Sequence, residues 1–236
     1  MKETSKTLAR ALTHFCRRRR GGTGHLLSRD GDSFNLLDVA QLRAAFDSAS
    51  YYERRMLAAG SCDNDLELLS RAIEIAAPDG LFLEFGVASG RTISHISSIR
   101  SGDIYGFDSF QGLPEDWRTG YPRGAFAGAA PEVPQNVHLL TGLFSHTLPD
   151  FLGETPGAVS FVHVDCDLYS STKVILDTLV GRIVPGTVIV FDEYFNYPGW
   201  RQHEFRAFQE FVASHDISYN YTFFVPSHQQ VCVVIR

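Results

Sequence analysis

Apolar runs and helix-spaced segments alternate through the middle of this chain. Five runs rich in Val, Ile, Leu and Phe are typical of buried parallel strands: LFLEF (81–85), DIYGFD (103–108), VHLLT (137–141), VSFVHVD (159–165) and GTVIVFD (186–192). Apolar residues at helical spacing follow these runs, at 89–100, 145–152, 170–182 and 201–214. This alternation predicts an α/β fold in which a parallel sheet carries helices on both faces.

The C-terminal part of the chain predicts a different connection. Two further apolar segments, near 218–225 and 230–235, leave too little chain between them for a helix, so we expect them to pair as an antiparallel hairpin. The whole pattern therefore predicts a Rossmann-like, doubly wound, mostly parallel seven-stranded sheet with an antiparallel C-terminal hairpin.

The N-terminal part of the chain carries a weaker pattern. Residues 1–36 are rich in Arg, Gly and Ser and show little periodicity. Apolar spacing then predicts helices over 37–59 and just beyond it, where Asp63 is a candidate helix cap. We therefore divide the chain into a partly flexible N-terminal extension with helices, residues 1–60, and a main domain, residues 61–236.

Two of the predicted strands end in pairs of carboxylates. Asp165 and Asp167 close one run, and Asp192 and Glu193 close the next. Ligands of open α/β sheets bind at the carboxyl ends of the strands. Clustered acids also repel one another unless a cation or a proton neutralises them. This placement predicts a metal-assisted active site, with helix caps or solvated loop acids as the alternatives.

A glycine turn follows the first strand. In LFLEFGVASGRT (81–92) the strand leads through Glu84-x-Gly86-x-x-x-Gly90 into a helix. Glycine permits the sharp turn and lets a ligand reach the main chain, where free N–H groups face it. Ala88 replaces the second glycine of the dinucleotide fingerprint. Asp108 ends the next strand, where Rossmann-like sites bind ribose hydroxyls. The pattern predicts a nucleoside site; a merely structural turn is the alternative.

Composition narrows the class of protein further. The chain has 236 residues, 44% hydrophobic and 20% charged, with a formal net charge of −6 and a pI near 5.8. This balance argues against nucleic-acid and anionic-membrane partners. The sequence shows neither a membrane span nor a secretory signal. The cysteines follow no metal or disulfide spacing, and two of them, Cys166 and Cys232, are expected inside strands. We therefore expect a cytoplasmic protein.

Four motifs together resemble a known family. The glycine turn resembles motif I of class I S-adenosylmethionine-dependent methyltransferases. Together with GFDSFQGLPEDW (106–117), HVDCDLYSST (163–172) and GTVIVFDEY (186–194), it is similar to the macrocin O-methyltransferase (TylF-like) family over roughly residues 60–235. The resemblance implies a methyltransferase domain that uses S-adenosyl-L-methionine and Mg²⁺ to methylate a hydroxyl of a small acceptor, such as a sugar or glycosylated metabolite. It also implies a homo-oligomer.

The resemblance implies a role for individual residues as well. The implied cofactor contacts are Glu84, Gly86, Gly90, Asp108 and Ser109. The implied magnesium ligands are Asp165, Asp192 and Glu193, and the implied general base is Asp167. Glu193 stands where relatives often carry aspartate, and the third strand ends at Thr141 without the acid that many class I enzymes place near the adenine.

Two other functions compete with this one. A nicotinamide-dependent oxidoreductase would use a similar sheet, but the missing GxGxxG fingerprint and the C-terminal hairpin argue against it. A non-catalytic cofactor-binding protein would keep the nucleoside site, but it would have no need of clustered acids, which are costly to keep.

The sequence also supports predictions for one strand residue and two segments near the candidate site. His163 alternates with valines inside a strand and is expected to be a hydrogen-bonded core histidine. The loop 109–136 is long enough to be a functional lid over the cofactor or acceptor, with three aromatic residues, Trp117, Tyr121 and Phe126. We expect acceptor contacts from 198–205, where aromatic packing is the alternative explanation.

Overall fold

The computed structural model describes residues 29–30 and 33–236, with side chains from residue 33 onward. The chain divides into two compact units, Met1–Arg43 and Ala44–Arg236. The first unit contains a short antiparallel hairpin, β1 (Arg29–Asp30) and β2 (Ser33–Phe34), and the start of helix α1 (Leu36–Arg55). Most of the extension predicted to be flexible lies outside the described residues.

The second unit alternates strands and helices in the predicted order. After the end of α1, its elements are β3 (Gly60–Ser61), α2 (Asp65–Ile75), β4 (Leu81–Phe85), α3 (Arg91–Ile99), β5 (Ile104–Asp108), β6 (Val137–Thr141), α4 (Phe144–Glu154), β7 (Val159–Val164), α5 (Tyr169–Leu179), β8 (Ile183–Phe191), a 3₁₀ turn (Trp200–Gln202), α6 (Glu204–Ser214), β9 (Tyr219–Phe224) and β10 (Val231–Ile235). None of the helices described here is both long enough and apolar enough to cross a membrane.

Eight strands form the central sheet, in the order β3-β9-β10-β8-β7-β4-β5-β6. β10 runs antiparallel to its neighbours β8 and β9, and the other neighbouring strands pair in parallel. The mostly parallel, doubly wound sheet with an antiparallel C-terminal hairpin is confirmed. The sheet has one strand more than the seven predicted, because the two residues of β3 pair with β9 but are too few to show a strand pattern.

Alternation along the central strands sorts their side chains onto two faces of the sheet. Leu83, Val162 and Ile189 belong to one apolar cluster, which the helices α4, α5 and α6 cover. Their neighbours in the chain belong to a second cluster, which α2 and α3 cover. Because both faces are buried, the strands appear in the sequence as continuous apolar runs.

Two local predictions were wrong. Helix α2 is capped by Asn64, not Asp63: the Asn64 side chain accepts from the backbone N–H of Glu67 (2.9 Å), and the Glu67 carboxylate accepts from that of Asp63 (2.6 Å). Because the Asn64 side chain satisfies a free N–H of the first helical turn, the cap lies one residue later than predicted. Cys166 follows β7 instead of lying inside it, whereas Cys232 lies in β10, as predicted.

Candidate active site

Asp108, at the end of β5, fixes the turn that follows β4. Its Oδ2 accepts hydrogen bonds from the backbone N–H groups of Val87 (2.9 Å) and Ala88 (2.8 Å). Its Oδ1 accepts one from the backbone N–H of Phe110 (2.8 Å). A carboxylate offers about four lone-pair sites, so Asp108 retains acceptor capacity for a ligand hydroxyl.

Gly86 leads the chain into the turn at a point of close backbone approach. It adopts a φ of +94°, which side chains rarely tolerate. A Cβ at this position would lie 1.8 Å from the carbonyl oxygen of Asp165. The glycine is therefore required by the contact between the β4 turn and the segment after β7, in addition to any ligand it accommodates.

A cavity of about 550 Å³ lies between this turn and the carboxyl ends of β7 and β8. Its size is typical of small-molecule sites. Six predicted site residues line the cavity: Gly86, Asp108, Ser109, Asp165, Asp167 and Glu193. Three do not: Glu84, Gly90 and Asp192. The structure thus brings both predicted halves of the site, the nucleoside turn and the carboxylates, to one cavity.

The carboxylates at the cavity lie close to one another; Asp167 is buried, and Asp165 and Glu193 are partly buried. Burial, and then the charge of Asp192, raises the pKa of Asp165 and that of Glu193 well above their usual range. Burial also raises the pKa of Asp167 to about 7, although the Arg118 guanidinium lowers it. The pKa of Asp192 alone is lowered: burial would raise it, but His163 more than compensates. These acids need protons or a cation to coexist.

A fifth acid, Glu204, completes what we call the acid cluster, namely Asp165, Asp167, Asp192, Glu193 and Glu204. Glu204 begins α6 and is fully buried. Its Oε2 accepts from the backbone N–H of Glu193 (3.0 Å), whereas its Oε1 has no partner among the described residues. Burial raises its pKa well above the usual range. No pattern in the sequence indicates a buried role for Glu204, because an acid in the first helical turn is commonly a solvated dipole partner.

The backbone around Asp167 has a rare conformation. The Leu168 N–H donates to the carbonyl of Cys166 (2.7 Å), which closes a three-residue turn around Asp167 at φ +65°. Turns of this kind with positive φ are uncommon and strained, and strained residues concentrate at functional sites. Helix α5 starts only at Tyr169, and no side chain caps it. Asp167 is therefore not a helix cap, and its placement at the cavity supports a functional role.

Glu84 and His163 form a buried pair beneath the glycine turn. Glu84 Oε2 lies 2.9 Å from His163 Nδ1, and its Oε1 accepts from the Thr92 hydroxyl (3.1 Å). Burial alone would lower the pKa of His163, but Asp192 and Glu84 raise it well above the usual range. The prediction of a core histidine holds for Nδ1, but Nε2 has no hydrogen-bond partner in the described part of the chain.

Three side chains of this region are close enough to share a metal ion. One ligand atom each from His163, Asp165 and Asp192 lie within 4.8 Å of one another. Among the residues that the structure describes, Glu193 is not a member of this group, although its buried Oε2 also lacks a partner. The orphaned Nε2 of His163 and the carboxylate oxygens of Asp165 and Asp192 form a donor set that suits a divalent cation.

The loop 109–136 forms one wall of the cavity, with Trp117, Tyr121 and Phe126 among the lining residues. The guanidinium of Arg118 lies 3.9 Å from the centre of the Trp117 ring and 4.6 Å from that of Tyr197. Arg118 is the one basic side chain among the described residues that line the cavity. No lining residue, in the part of the chain described, comes from 198–205, where Trp200 and Phe205 instead pack in the core. Aromatic packing accounts for these two side chains, and acceptor contacts from this segment stay a prediction.

Comparison with known proteins relates this site to methyltransferases. A family described as a methyltransferase domain matches residues 83–194, which include the glycine turn and four of the five acids. The 8-demethyl-8-(2,3-dimethoxy-alpha-L-rhamnosyl)-tetracenomycin-C 4'-O-methyltransferase of Streptomyces olivaceus is 29% identical over 158 residues, or 55% of this chain. The matched region spans 59% of the length of that relative.

Two solved structures share the fold. The calicheamicin methyltransferase CalS11 aligns with a TM-score of 0.57 at 19% identity, over 91% of this chain and 97% of that one. The O-methyltransferase NovP aligns with a TM-score of 0.54 at 23% identity, over 72% of this chain and 78% of that one. Similarity at these identities establishes the shared architecture, and the residues of the cavity have to carry any further argument.

Proposed function

We propose that this chain is a class I S-adenosylmethionine-dependent methyltransferase, and that it transfers the methyl group of S-adenosyl-L-methionine to a hydroxyl of a small acceptor. The observation that carries this proposal is the cavity itself, which has the Asp108-bound glycine turn on one side and three carboxylates of the acid cluster on the other. The first side suits a nucleoside cofactor, and the second suits a hydroxyl that must lose a proton.

Asp108 and Ser109 are proposed to contact the ribose and adenosine side of the cofactor. Both line the cavity directly after β5, and Asp108 already holds the turn of β4 in place. Gly86 leaves the main chain open where the methionine portion would pass. Glu84, buried under the turn, and Gly90, which begins α3, are proposed to act by shaping this segment.

Asp167 is proposed to be the general base. In methyl transfer, the acceptor oxygen forms a bond to the methyl carbon as the carbon–sulfur bond breaks, and the electron pair goes to sulfur. The hydroxyl proton must leave as the new bond forms. Asp167 lies on the cavity wall, and its pKa of about 7 is close to that of an effective base near neutral pH.

The acid cluster is proposed to hold Mg²⁺, with Asp165, Asp192 and Glu193 as ligands. Their oxygens are the hard ligands that this ion prefers, and the raised pKa values of Asp165 and Glu193 support the proposal of a compensating cation. A bound ion would act as a Lewis acid that makes a coordinated acceptor hydroxyl easier to deprotonate.

The acceptor is proposed to be a sugar or a glycosylated natural product. The relative from Streptomyces olivaceus carries a rhamnosyl tetracenomycin in its name. In this chain, Trp117 and Tyr121 bring aromatic surface to the cavity, and Arg118 adds hydrogen-bond donors. Flat aromatic faces beside polar groups suit a sugar ring, which has apolar C–H faces and hydroxyl edges.

The deciding experiment is calorimetric titration of the purified protein with S-adenosylhomocysteine, with and without Mg²⁺, with NAD⁺ as the control ligand. We expect binding of S-adenosylhomocysteine and none of NAD⁺. A screen of glycosylated acceptors with methyl-labelled cofactor would follow. Binding of NAD⁺ in place of S-adenosylhomocysteine would refute the proposal and favour a nicotinamide-dependent oxidoreductase.

A further inference from the structure

We propose that His163 is a nitrogen ligand of the divalent cation, in a site that it forms with Asp165 and Asp192. The inference rests on the proposed function only in that both require a cation at the acid cluster. With His163 included, the ligands of the cation are one nitrogen and carboxylate oxygens, instead of oxygens alone.

The strand geometry brings these three side chains together. His163 and Asp165 are two positions apart on the path of β7, so in extended chain they face the same way. Asp192 directly follows β8, which pairs with β7 through Val164 and Phe191. Their ligand atoms therefore meet within 4.8 Å, and Asp165 connects the group to the cavity through which an ion would arrive.

The unsatisfied nitrogen of His163 is the second observation. The side chain is only 1% exposed, and Nε2 has no hydrogen-bond partner among the described residues. Nε2 lies 3.9 Å from Asp192 Oδ1, too far for a hydrogen bond. An ion pair between His163 and Asp192 would leave Nε2 without a hydrogen bond, whereas a cation between Nε2 and Oδ1 would bind both atoms.

Glu84 prepares the imidazole for this role. Its Oε2 lies 2.9 Å from Nδ1, so the carboxylate accepts a hydrogen bond from Nδ1–H and leaves Nε2 toward the acids, where a cation would replace the Nε2 proton. Histidines that bind metals almost always donate their second ring N–H to such an acceptor. Thr92 orients the other oxygen of Glu84. Glu84 is therefore a positioning residue.

A mixed ligand set alters the preference among metals. Imidazole nitrogen suits first-row transition metals, whereas carboxylate, carbonyl and water oxygens suit Mg²⁺. We therefore expect Mn²⁺ to bind more tightly than Mg²⁺ and to compete with it for the same site.

The test is pulsed electron paramagnetic resonance of the Mn²⁺ complex of the wild-type protein, without cofactor. We expect ¹⁴N modulation from a directly bound nitrogen and its replacement by ¹⁵N modulation when the histidines carry ¹⁵N. His163→Gln should abolish the signal. Glu84→Gln, which leaves His163 in place, should weaken Mn²⁺ affinity about 10–100-fold. His138→Gln is the matched control: it removes an exposed histidine that pairs with Asp103, and it should keep the nitrogen modulation.

Two results would overturn the inference. One is Mn²⁺ that binds to wild-type protein without nitrogen modulation, and the other is no Mn²⁺ binding at millimolar concentration. Binding of S-adenosylhomocysteine, measured on the same preparation, is independent of both. If it binds while the nitrogen signal is absent, the histidine ligand is wrong and the methyltransferase function stands; if it does not bind, the proposed function itself fails.

Discussion

Gly86 is the residue at which the cofactor turn touches the acid cluster. A side chain there would require a strained φ of +94° and would collide with the carbonyl oxygen of Asp165. We expect Gly86→Ala to lower the free energy of unfolding by more than the ~1–3 kcal/mol of backbone strain alone, and to abolish binding of S-adenosylhomocysteine. Denaturant unfolding measures the first effect and calorimetric titration the second.

Gly120 offers a matched control for the steric part of this prediction. It has the same φ of +94°, but a Cβ at this position meets no atom within 4 Å. Gly120→Ala should therefore lose only the stability that backbone strain accounts for. Equal losses in the two variants would show that the contact with Asp165 is unimportant.

Asp167 is expected to be required for turnover but not for cofactor binding. Asn has the same shape and tolerates the φ of +65°, yet it cannot accept the acceptor proton. We expect Asp167→Asn to reduce kcat about 10²–10⁴-fold and to leave the affinity for S-adenosylhomocysteine unchanged. Asp216→Asn is the control, because Asp216 also has positive φ, at +51°, but is exposed on the protein surface. Normal turnover of Asp167→Asn would remove Asp167 from the mechanism.

The sequence could predict most of this site, but not how its members interact. Asp165 and Asp192 were found because they follow apolar strands, and strand ends determine where ligands bind. Glu204 was missed because its burial depends on how α6 packs against the end of β8. Likewise, within residues 33–236, Nε2 of His163 lacks a hydrogen-bond partner because Asp192 Oδ1, after the neighbouring strand, lies 3.9 Å away. Such facts are properties of tertiary contacts and have no local signal in the chain.

At the scale of elements, the loop 109–136 connects the cavity to the aromatic residues beside it. The chain has two tryptophans: Trp117 lines the cavity, and Trp200 is 2% exposed in the core. We expect binding of S-adenosylhomocysteine to change the emission of Trp117. The fluorescence change should therefore persist in Trp200→Phe and disappear in Trp117→Phe. Its persistence in Trp117→Phe would place the ligand away from this loop.

Element boundaries were predictable where the apolar pattern was long. All residues of β4 and β7 are buried, alternately under one helix layer and under the other, so each strand appears in the sequence as a continuous apolar run. β3 was not, because a strand of two residues, Gly60 and Ser61, exists only through its hydrogen bonds to β9. The cap of α2 was predicted at Asp63 but lies at Asn64, because Asp and Asn are equally good capping residues and only the structure distinguishes them.

At the scale of the whole molecule, the acid cluster links stability to pH. The pKa of Asp165, Glu193 and Glu204 is raised well above the usual range, and that of Asp167 to about 7. Such groups favour the folded state fully below their unfolded pKa of about 4, and this contribution is lost as pH rises through the folded value. The raised pKa of His163 likewise makes the folded state less stable as pH rises, whereas the lowered pKa of Asp192 makes it more stable.

We therefore expect the metal-free protein to lose stability between about pH 5 and about pH 8, and a divalent cation to restore it. A cation at 100 times its Kd should add about 2.7 kcal/mol, seen in thermal unfolding as an increase of roughly 5–10 °C in Tm. Asp177→Asn, which removes an exposed carboxylate paired with Lys173, should leave both effects unchanged. A Tm that does not respond to Mg²⁺ or Mn²⁺ at about pH 8 would contradict the cation site.

The position of β10 between β8 and β9 has a consequence for synthesis of the protein in the cell. β8 carries its buried residues Val188–Phe191 at a sheet edge until Val231–Ile235 arrives to cover it. Translation of the roughly 40 residues from Phe191 to Val231 takes about 2–8 s at 5–20 residues per second. During that time a nascent chain exposes an apolar, unpaired edge that can join another chain. Slower translation downstream of Phe191 would prolong this exposure and increase the demand for chaperones.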